Sequence, residues 1–373
     1  MDVPFVDLKW QHKLIEKSLR ERLEAIFKDT AFVLGPDVAL FEKNFGTYLG
    51  DVSVVGVGNG TEALILALRA LDIGAGDEVI TIPTTFIATA SAIRLVGARP
   101  VFVDIDQDAR NFNLELLGRA VTGKTKAIIP VHLYGDPVEM MPILELARAK
   151  NIAIVEDACQ AHGARYQGKR VGTLGAAAAF SFYPGKNLGA YGEAGAVATS
   201  NPALAEKVRQ LRNHGGIKKY EHAVLGYNSR LDSVQAAVLD EKLKFLDEWN
   251  NLRRGIARQY FAGLGNLSGL RVFPPRAEVE SAHHLFVAQL DKADREDFLN
   301  HLKEKNIGAG IHYPEPLHLL APFADLGYRR GDLPVAEAFA KSIVSLPIFP
   351  GMTEEQADYV IEVIKKYFNG AKN

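Results

Sequence analysis

The chain has 373 residues, enough for two domains and a sizeable core. Its 43 Lys and Arg nearly cancel its 45 Asp and Glu, and the charges are interspersed, so the basic footprint of a nucleic-acid binder is missing and a small-molecule partner is the better expectation. One cysteine, Cys159, excludes an internal disulfide framework and, with ten scattered histidines, gives no zinc spacing.

The start, MDVPFVDLKWQ, has no basic stretch followed by an apolar core, and no apolar run approaches the roughly 18 residues of a membrane span. A cytoplasmic protein in a reducing compartment is expected, with no membrane partner. From about residue 55 short β-rich runs alternate with helical ones: VSVVGVG then TEALILALRAL, DEVITIP then ATASAIRLV, RPVFVDI, KAIIPVHLYG then MMPILELARAK, and NIAIVEDA. That alternation predicts a mainly parallel sheet covered by helices on both faces, with ligands beyond the carboxyl ends of the strands.

The residues at those ends carry the chemistry. Gly56-Val-Gly-Asn-Gly-Thr61 lacks the last glycine of a dinucleotide fingerprint. Gly60 and Thr61 nevertheless open a helix, where unpaired N–H groups and the helix dipole attract anions; taken alone, Thr61 reads as a simple cap. Phe86, after DEVITIP, is either core filler or a flat surface for a ring. Asp157 ends NIAIVED and reads as a helix cap or as the partner of a buried cation, with Gln160 and His162 following. Cys159, beside Glu156 and Asp157, reads as a packing residue whose thiolate is disfavoured.

The next run, AAAAFSFYPGKNLGAYGEAGAV, places Lys186 between apolar residues and glycines. A Walker loop would need glycine at Phe180 and a hydroxyl at Asn187, so Lys186 is not a phosphate-loop lysine. Partial desolvation would lower its pKa and expose a nucleophilic amine. Beyond it come charged helical runs; 231–264 reads as one long helix bridging two domains, with a boundary near 245–265. A smaller α+β unit follows, with a His-, Tyr- and Pro-rich loop, HYPEPLHLLAPF. Thr353 and Gln356 have capping-box spacing before the last helix. The expected division is 1–250 and 251–373.

A phosphate-sized turn, a ring-stacker, a strand-end aspartate and a lysine amine together form the set that holds pyridoxal phosphate. The ordered motifs GNGTEAL, PTTFIATASAI, VEDACQAHGA, SFYPGKNLGAYGEAGAV, GYNSRLDSVQAAVL and HYPEPLHL resemble the DegT/DnrJ/EryC1/StrS sugar aminotransferases, pyridoxal-phosphate enzymes of fold type I. The resemblance implies a large domain with a mainly parallel seven-stranded sheet and a smaller C-terminal α+β domain. It implies that Lys186 holds the cofactor covalently and moves the proton, that Asp157 pairs with the pyridine nitrogen, and that Gln160 faces the ring hydroxyl. Phe86 would stack on the ring; Gly60, Thr61 and Ser181 would hold the phosphate, joined by Asn228 from a second copy in a homodimer. His162, Tyr183, His312, Tyr313 and His318 would contact the sugar nucleotide.

Two positions depart from the usual pattern, Gly185 before the lysine and Glu193-Ala194 in place of Asp-Gly. Dehydratase relatives carry histidine in place of the lysine, so Lys186 disfavours dehydration. The implied activity moves an amino group from L-glutamate to a nucleotide-linked keto sugar, with HYPEPLHL most similar to enzymes acting on dTDP-3-keto-6-deoxyhexoses. UDP-linked 3-keto uronic acids and 4-keto sugars are the alternatives, followed by a non-catalytic regulator and by a desulfuration.

Overall fold

The computed structural model describes residues 1–370 except 109 and 292. Seven strands form the main sheet in the spatial order Ser53–Val57, Gly195–Thr199, Ala177–Ser181, Ala153–Asp157, Thr125–Ile128, Glu78–Thr81, Arg99–Phe102. Gly195–Thr199 runs antiparallel to both of its neighbours, and the other neighbouring pairs are parallel. The mainly parallel seven-stranded sheet is therefore present, with one reversed strand.

Among the described residues twelve α-helices accompany it. In chain order they are α1 (Lys9–Asp29), α2 (Pro36–Leu49), α3 (Gly60–Ala70), α4 (Ile87–Leu95), α5 (Leu114–Ala120), α6 (Met140–Lys150), α7 (Pro202–Arg212), α8 (Ser233–Leu243), α9 (Leu246–Leu264), α10 (Arg295–Glu304), α11 (Pro334–Ser342) and α12 (Glu354–Gly370). The strands sort their side chains with period two. Val55, Val57, Val79, Ala127, Val155 and Ala177 pack with Leu64, Leu68, Ile93 and Val208 of α3, α4 and α7. Val54, Ile80, Ile128, Ile154, Ala178 and Phe180 pack with Phe41, Phe45, Ile143 and Leu239 of α2, α6 and α8 on the opposite face. Both faces are covered, which is why these strands read as continuous apolar runs.

A separate core gathers Tyr260, Phe286, Phe298, Leu302, Val344, Ile364 and Phe368 around a three-stranded antiparallel sheet, Leu270–Val272, Phe286–Leu290 and Ile343–Leu346. Val3 joins this core and bridges to Ile307, so the smaller unit is not built from residues after 250 alone. The division at 250/251 falls inside α9. The single long helix expected over 231–264 is two helices broken at Lys244 and Phe245. There Phe245 N–H turns back to Lys242 O at 3.0 Å, and its ring stacks on Trp249 at 5.6 Å, so packing wins over helical continuation. The capping box forms: Gln356 N–H donates to Thr353 Oγ1 (3.2 Å) and Thr353 N–H to Gln356 Oε1 (3.1 Å). Among the described residues no helix is long and apolar enough to cross a membrane, and no cluster of His, Cys, Asp and Glu could hold a metal.

Candidate active site

The carboxyl ends of Ser53–Val57, Glu78–Thr81, Ala153–Asp157 and Ala177–Ser181 open on one cavity of about 960 Å³. Gly60, Thr61, Phe86, Asp157, Gln160, Ser181, Tyr183, Lys186, His312 and Tyr313 all line it. The fold thus brings together residues from Gly60 to Tyr313: strand ends at the same edge of a parallel sheet share one crevice, and the 312–313 loop of the C-terminal part reaches into it.

At the first strand end, Gly60 starts α3, leaving the first N–H groups of the helix facing the cavity side. The cap is Asn59, whose Oδ1 accepts from Glu62 N–H at 2.9 Å, so the simple capping role considered for Thr61 is not the one it plays. A Cβ on Gly60 would lie 2.5 Å from Ser181 Cβ and 3.1 Å from Cys159 Sγ. Glycine here lets the turn press against Ser181, which brings Gly60, Thr61 and Ser181 to one wall. The first N–H groups of α3 and the hydroxyls of Thr61 and Ser181 share this wall with the carboxylates of Glu62 and Glu193, and these donors are of the kind that hold a phosphate.

Asp157 is followed by turns rather than a helix, so it caps nothing. Its Oδ2 accepts from Thr89 Oγ1 (2.8 Å) and its Oδ1 from Cys159 N–H (3.2 Å), which fixes a buried carboxylate with no ion-pair partner among the described residues. Such an anion suits a protonated ring nitrogen. Nothing in the sequence singles out Thr89, which lies in the first turn of α4 three residues after the capping residue Phe86. Phe86 is 50% exposed and tilts against Tyr313 at 5.5 Å, so it is a cavity wall and not core filler. Gln160 is held from both sides, Oε1 accepting from Tyr134 N–H (2.6 Å) and Nε2 donating to Tyr313 Oη (3.1 Å).

Lys186 sits in a tight loop, with Ala190 N–H bonded to Phe182 O and Lys186 N–H to Tyr183 O, both at 2.8 Å. Burial lowers the pKa of its ammonium, against the opposing pull of Cys159 and Asp157. Burial first and Asp157 second push the Cys159 thiol well up, which fits the packing role read for it.

His312 and Tyr313 reach the cavity, His312 anchored by Nδ1 to Ser345 Oγ (2.9 Å) and stacked on Phe5 (5.6 Å). Two other histidines do not. His162 is fully buried between Phe180 and Phe182, and burial drives its pKa down to about 3, so it has no access to a sugar. His318 is buried too, its Nε2 3.1 Å from Glu337 Oε1, and it braces the 317–337 segment. Asn228 lies outside the cavity of its own chain, exposed, with Oδ1 accepting from Arg230 at 2.7 Å. The N-terminal Phe5 and Val6, Arg253 of α9 and His284 also line the cavity, and none of them stood out in the sequence.

A nucleophilic amine, a buried carboxylate, an aromatic wall and a glycine turn at a helix start, converging at the carboxyl edge of this sheet, define an α/β aminotransferase site. The chain belongs to the DegT/DnrJ/EryC1/StrS aminotransferase family, whose model matches residues 13–365. It is 45% identical to a pleiotropic regulatory protein of Geobacillus stearothermophilus, covering 99% of each chain. It is 42% identical to a dTDP-3-amino-3,4,6-trideoxy-alpha-D-glucose transaminase of Streptomyces venezuelae, covering 98% of this chain and 96% of the other. The crystal structure of S. venezuelae DesV in complex with a ketimine intermediate superposes with a TM-score of 0.95 at 42% identity, covering 98% of each chain.

Proposed function

We propose that this protein is an aminotransferase that moves an amino group from L-glutamate to the keto group of a nucleotide-linked sugar, in the first instance a dTDP-3-keto-6-deoxyhexose. The observation that carries the reading is the meeting of Lys186, Asp157 and the Gly60-Thr61 turn in one cavity. Pyridoxal phosphate, when bound, supplies an electron sink for the carbanion that forms when the substrate carbon loses its proton.

The chain's own groups do the rest. The Lys186 amine, whose neutral form burial favours, would hold the cofactor and would take and return the proton at the substrate carbon. Asp157, steadied by Thr89, would hold positive charge on the ring nitrogen. Phe86 would cover one face of the ring, and Gly60, Thr61 and Ser181 would bind the phosphate. Gln160 orients Tyr313 at the side where the ring hydroxyl would lie. Donor and acceptor use the same cavity in turn, so the reaction is ping-pong. His312, Tyr313 and Tyr183 are positioned to meet the sugar.

Asn228 follows a segment in which Tyr220 is 85% and Leu225 91% exposed. Exposed apolar groups beside a polar residue support a second copy docking there, with Asn228 reaching the phosphate of the partner site. The single thiol fits a cytoplasmic setting. The transaminase named at 42% identity supports the dTDP-sugar assignment over the UDP-sugar alternatives.

The test is spectroscopic. Wild-type protein with pyridoxal phosphate develops absorbance near the visible edge, L-glutamate removes it, and a keto-sugar nucleotide restores it. Lys186→Ala protein should show none of this covalent absorbance; if it keeps that band, the assignment of Lys186 is wrong. A regulator without catalytic activity would show no response to glutamate; the relative from Geobacillus stearothermophilus is named a pleiotropic regulatory protein.

A further inference from the structure

Two histidines line the cavity, His284 and His312, and they differ in what fixes the proton on the ring. His312 Nδ1 meets the hydroxyl of Ser345, which can donate or accept, so that contact leaves the tautomer open. His284 Nδ1 instead lies 3.2 Å from Oδ1 of Asn187, the residue after Lys186. Asn187 is only 2% exposed, and its Nδ2 donates to the backbone carbonyl of Ala282 and to Asn250 Oδ1, both at 2.8 Å. Asn250 of α9, also buried, donates its own Nδ2 to His162 O at 2.8 Å. A backbone carbonyl only accepts, so Ala282 O and His162 O pin each amide in one orientation. Asn187 Oδ1 is then an acceptor, and the ring proton of His284 has to sit on Nδ1.

Nε2 is left with a lone pair. No group among the described residues partners it, and unlike both ring nitrogens of His162 it is not enclosed. The ring also stays neutral: burial first, then the charges of Lys186 and Arg253, hold its pKa well below the usual histidine range. His284 therefore presents a hydrogen-bond acceptor to the cavity, near the reacting amine because its other nitrogen is tied to the residue that follows Lys186.

Such a group distinguishes the two substrates. Apart from the amino group that reacts, L-glutamate offers two carboxylates, and these meet an unprotonated nitrogen as one acceptor meets another. A sugar carries hydroxyls on the carbons beside its keto group, and a hydroxyl can donate to Nε2. We propose that His284 accepts a hydrogen bond from a ring hydroxyl beside the keto carbon of the sugar and so selects the amino acceptor, a role that rests on the aminotransferase reading above.

The test follows the two half-reactions of the holoenzyme separately by stopped-flow absorbance, with L-glutamate and with a dTDP-3-keto-6-deoxyhexose. His284→Asn keeps a donor for Asn187 Oδ1 and removes the ring acceptor. Its half-reaction with glutamate should stay within about threefold of wild type, whereas the second-order rate constant with the keto sugar should fall about 10- to 100-fold, the scale of a lost hydrogen bond to a substrate hydroxyl. Of two analogues, each lacking the hydroxyl on one side of the keto carbon, one should lose the same factor on wild type and lose nothing further on the variant. His284→Leu serves if the Asn protein does not fold, the ratio of keto-sugar to glutamate rate constants falling at least about tenfold.

An unchanged sugar half-reaction, or equal slowing of both half-reactions, would overturn the proposal, the second result marking a histidine that only braces Asn187. Wild-type holoenzyme that fails to react with L-glutamate or with the keto sugar would instead remove the reading of the function on which this role rests.

Discussion

Gly60→Ala is the sharpest perturbation of the proposed phosphate wall. The added methyl would stand 2.5 Å from Ser181 Cβ and 3.1 Å from Ser181 Cα and Cys159 Sγ, whereas carbon atoms rest about 3.5–4.0 Å apart. Relief requires a shift of about 1 Å, and none of the three neighbours is the far end of a long side chain. Overpacking of this kind costs about 1–3 kcal/mol. The same shift moves the start of α3 away from Ser181, so the N–H groups and hydroxyls no longer converge on one point. Pyridoxal phosphate affinity, followed by absorbance and fluorescence titration, should fall at least about tenfold, alongside a loss of about 1–3 kcal/mol in urea unfolding of the cofactor-free protein. Gly118→Ala is the control, since that glycine lies inside α5 with nothing within 4 Å of its added carbon; it should gain about 0.5–1 kcal/mol and bind cofactor as wild type does. Wild-type cofactor affinity in a folded Gly60→Ala protein would refute the assignment of this turn to the phosphate.

Two further outcomes follow from buried groups behind the site. Glu156 is fully buried and accepts from Gly172, Leu174 and Gly175 N–H, each at 2.7 Å, with His132 Nε2 at 3.0 Å; Glu156→Gln turns an acceptor into a donor against this ring and should cost about 3 kcal/mol or more in urea unfolding. His162 stays neutral when folded down to a pH of about 3, but protonates near 6.5 when unfolded. The unfolded state therefore binds the extra proton below pH 6.5, and stability falls as pH falls through that window and is unaffected above it. One proton is worth about 1.4 kcal/mol per pH unit, so His162→Gln should remove about 2 kcal/mol of the wild-type loss between pH 6.5 and 5, measured as the difference of unfolding free energies at those two values. An unchanged slope would show that the ring is protonated in the folded protein.

The sequence by itself determined what depends on local repetition and chain order. Runs such as KAIIPV and NIAIVED read as buried strands because helical runs alternate with them along the chain, and ligand chemistry was then expected at residues such as Asp157 that end those runs. The capping pair Thr353 and Gln356 was equally legible, since both partners lie within one turn. Only the tertiary structure decided which of several histidines near the site face the cavity. His162 and His312 look alike in sequence, yet one packs among Phe180 and Phe182 and the other stands at the cavity wall, because the answer depends on residues from distant elements. The break between α8 and α9, the crossing of Val3 into the smaller core and the partnering of Thr89 with Asp157 have the same origin. Arg253 shows the point most plainly: nothing in the run NNLRRGIARQ marks it, and only the packing of α9 against the 283–284 and 348 backbone buries it on the cavity wall.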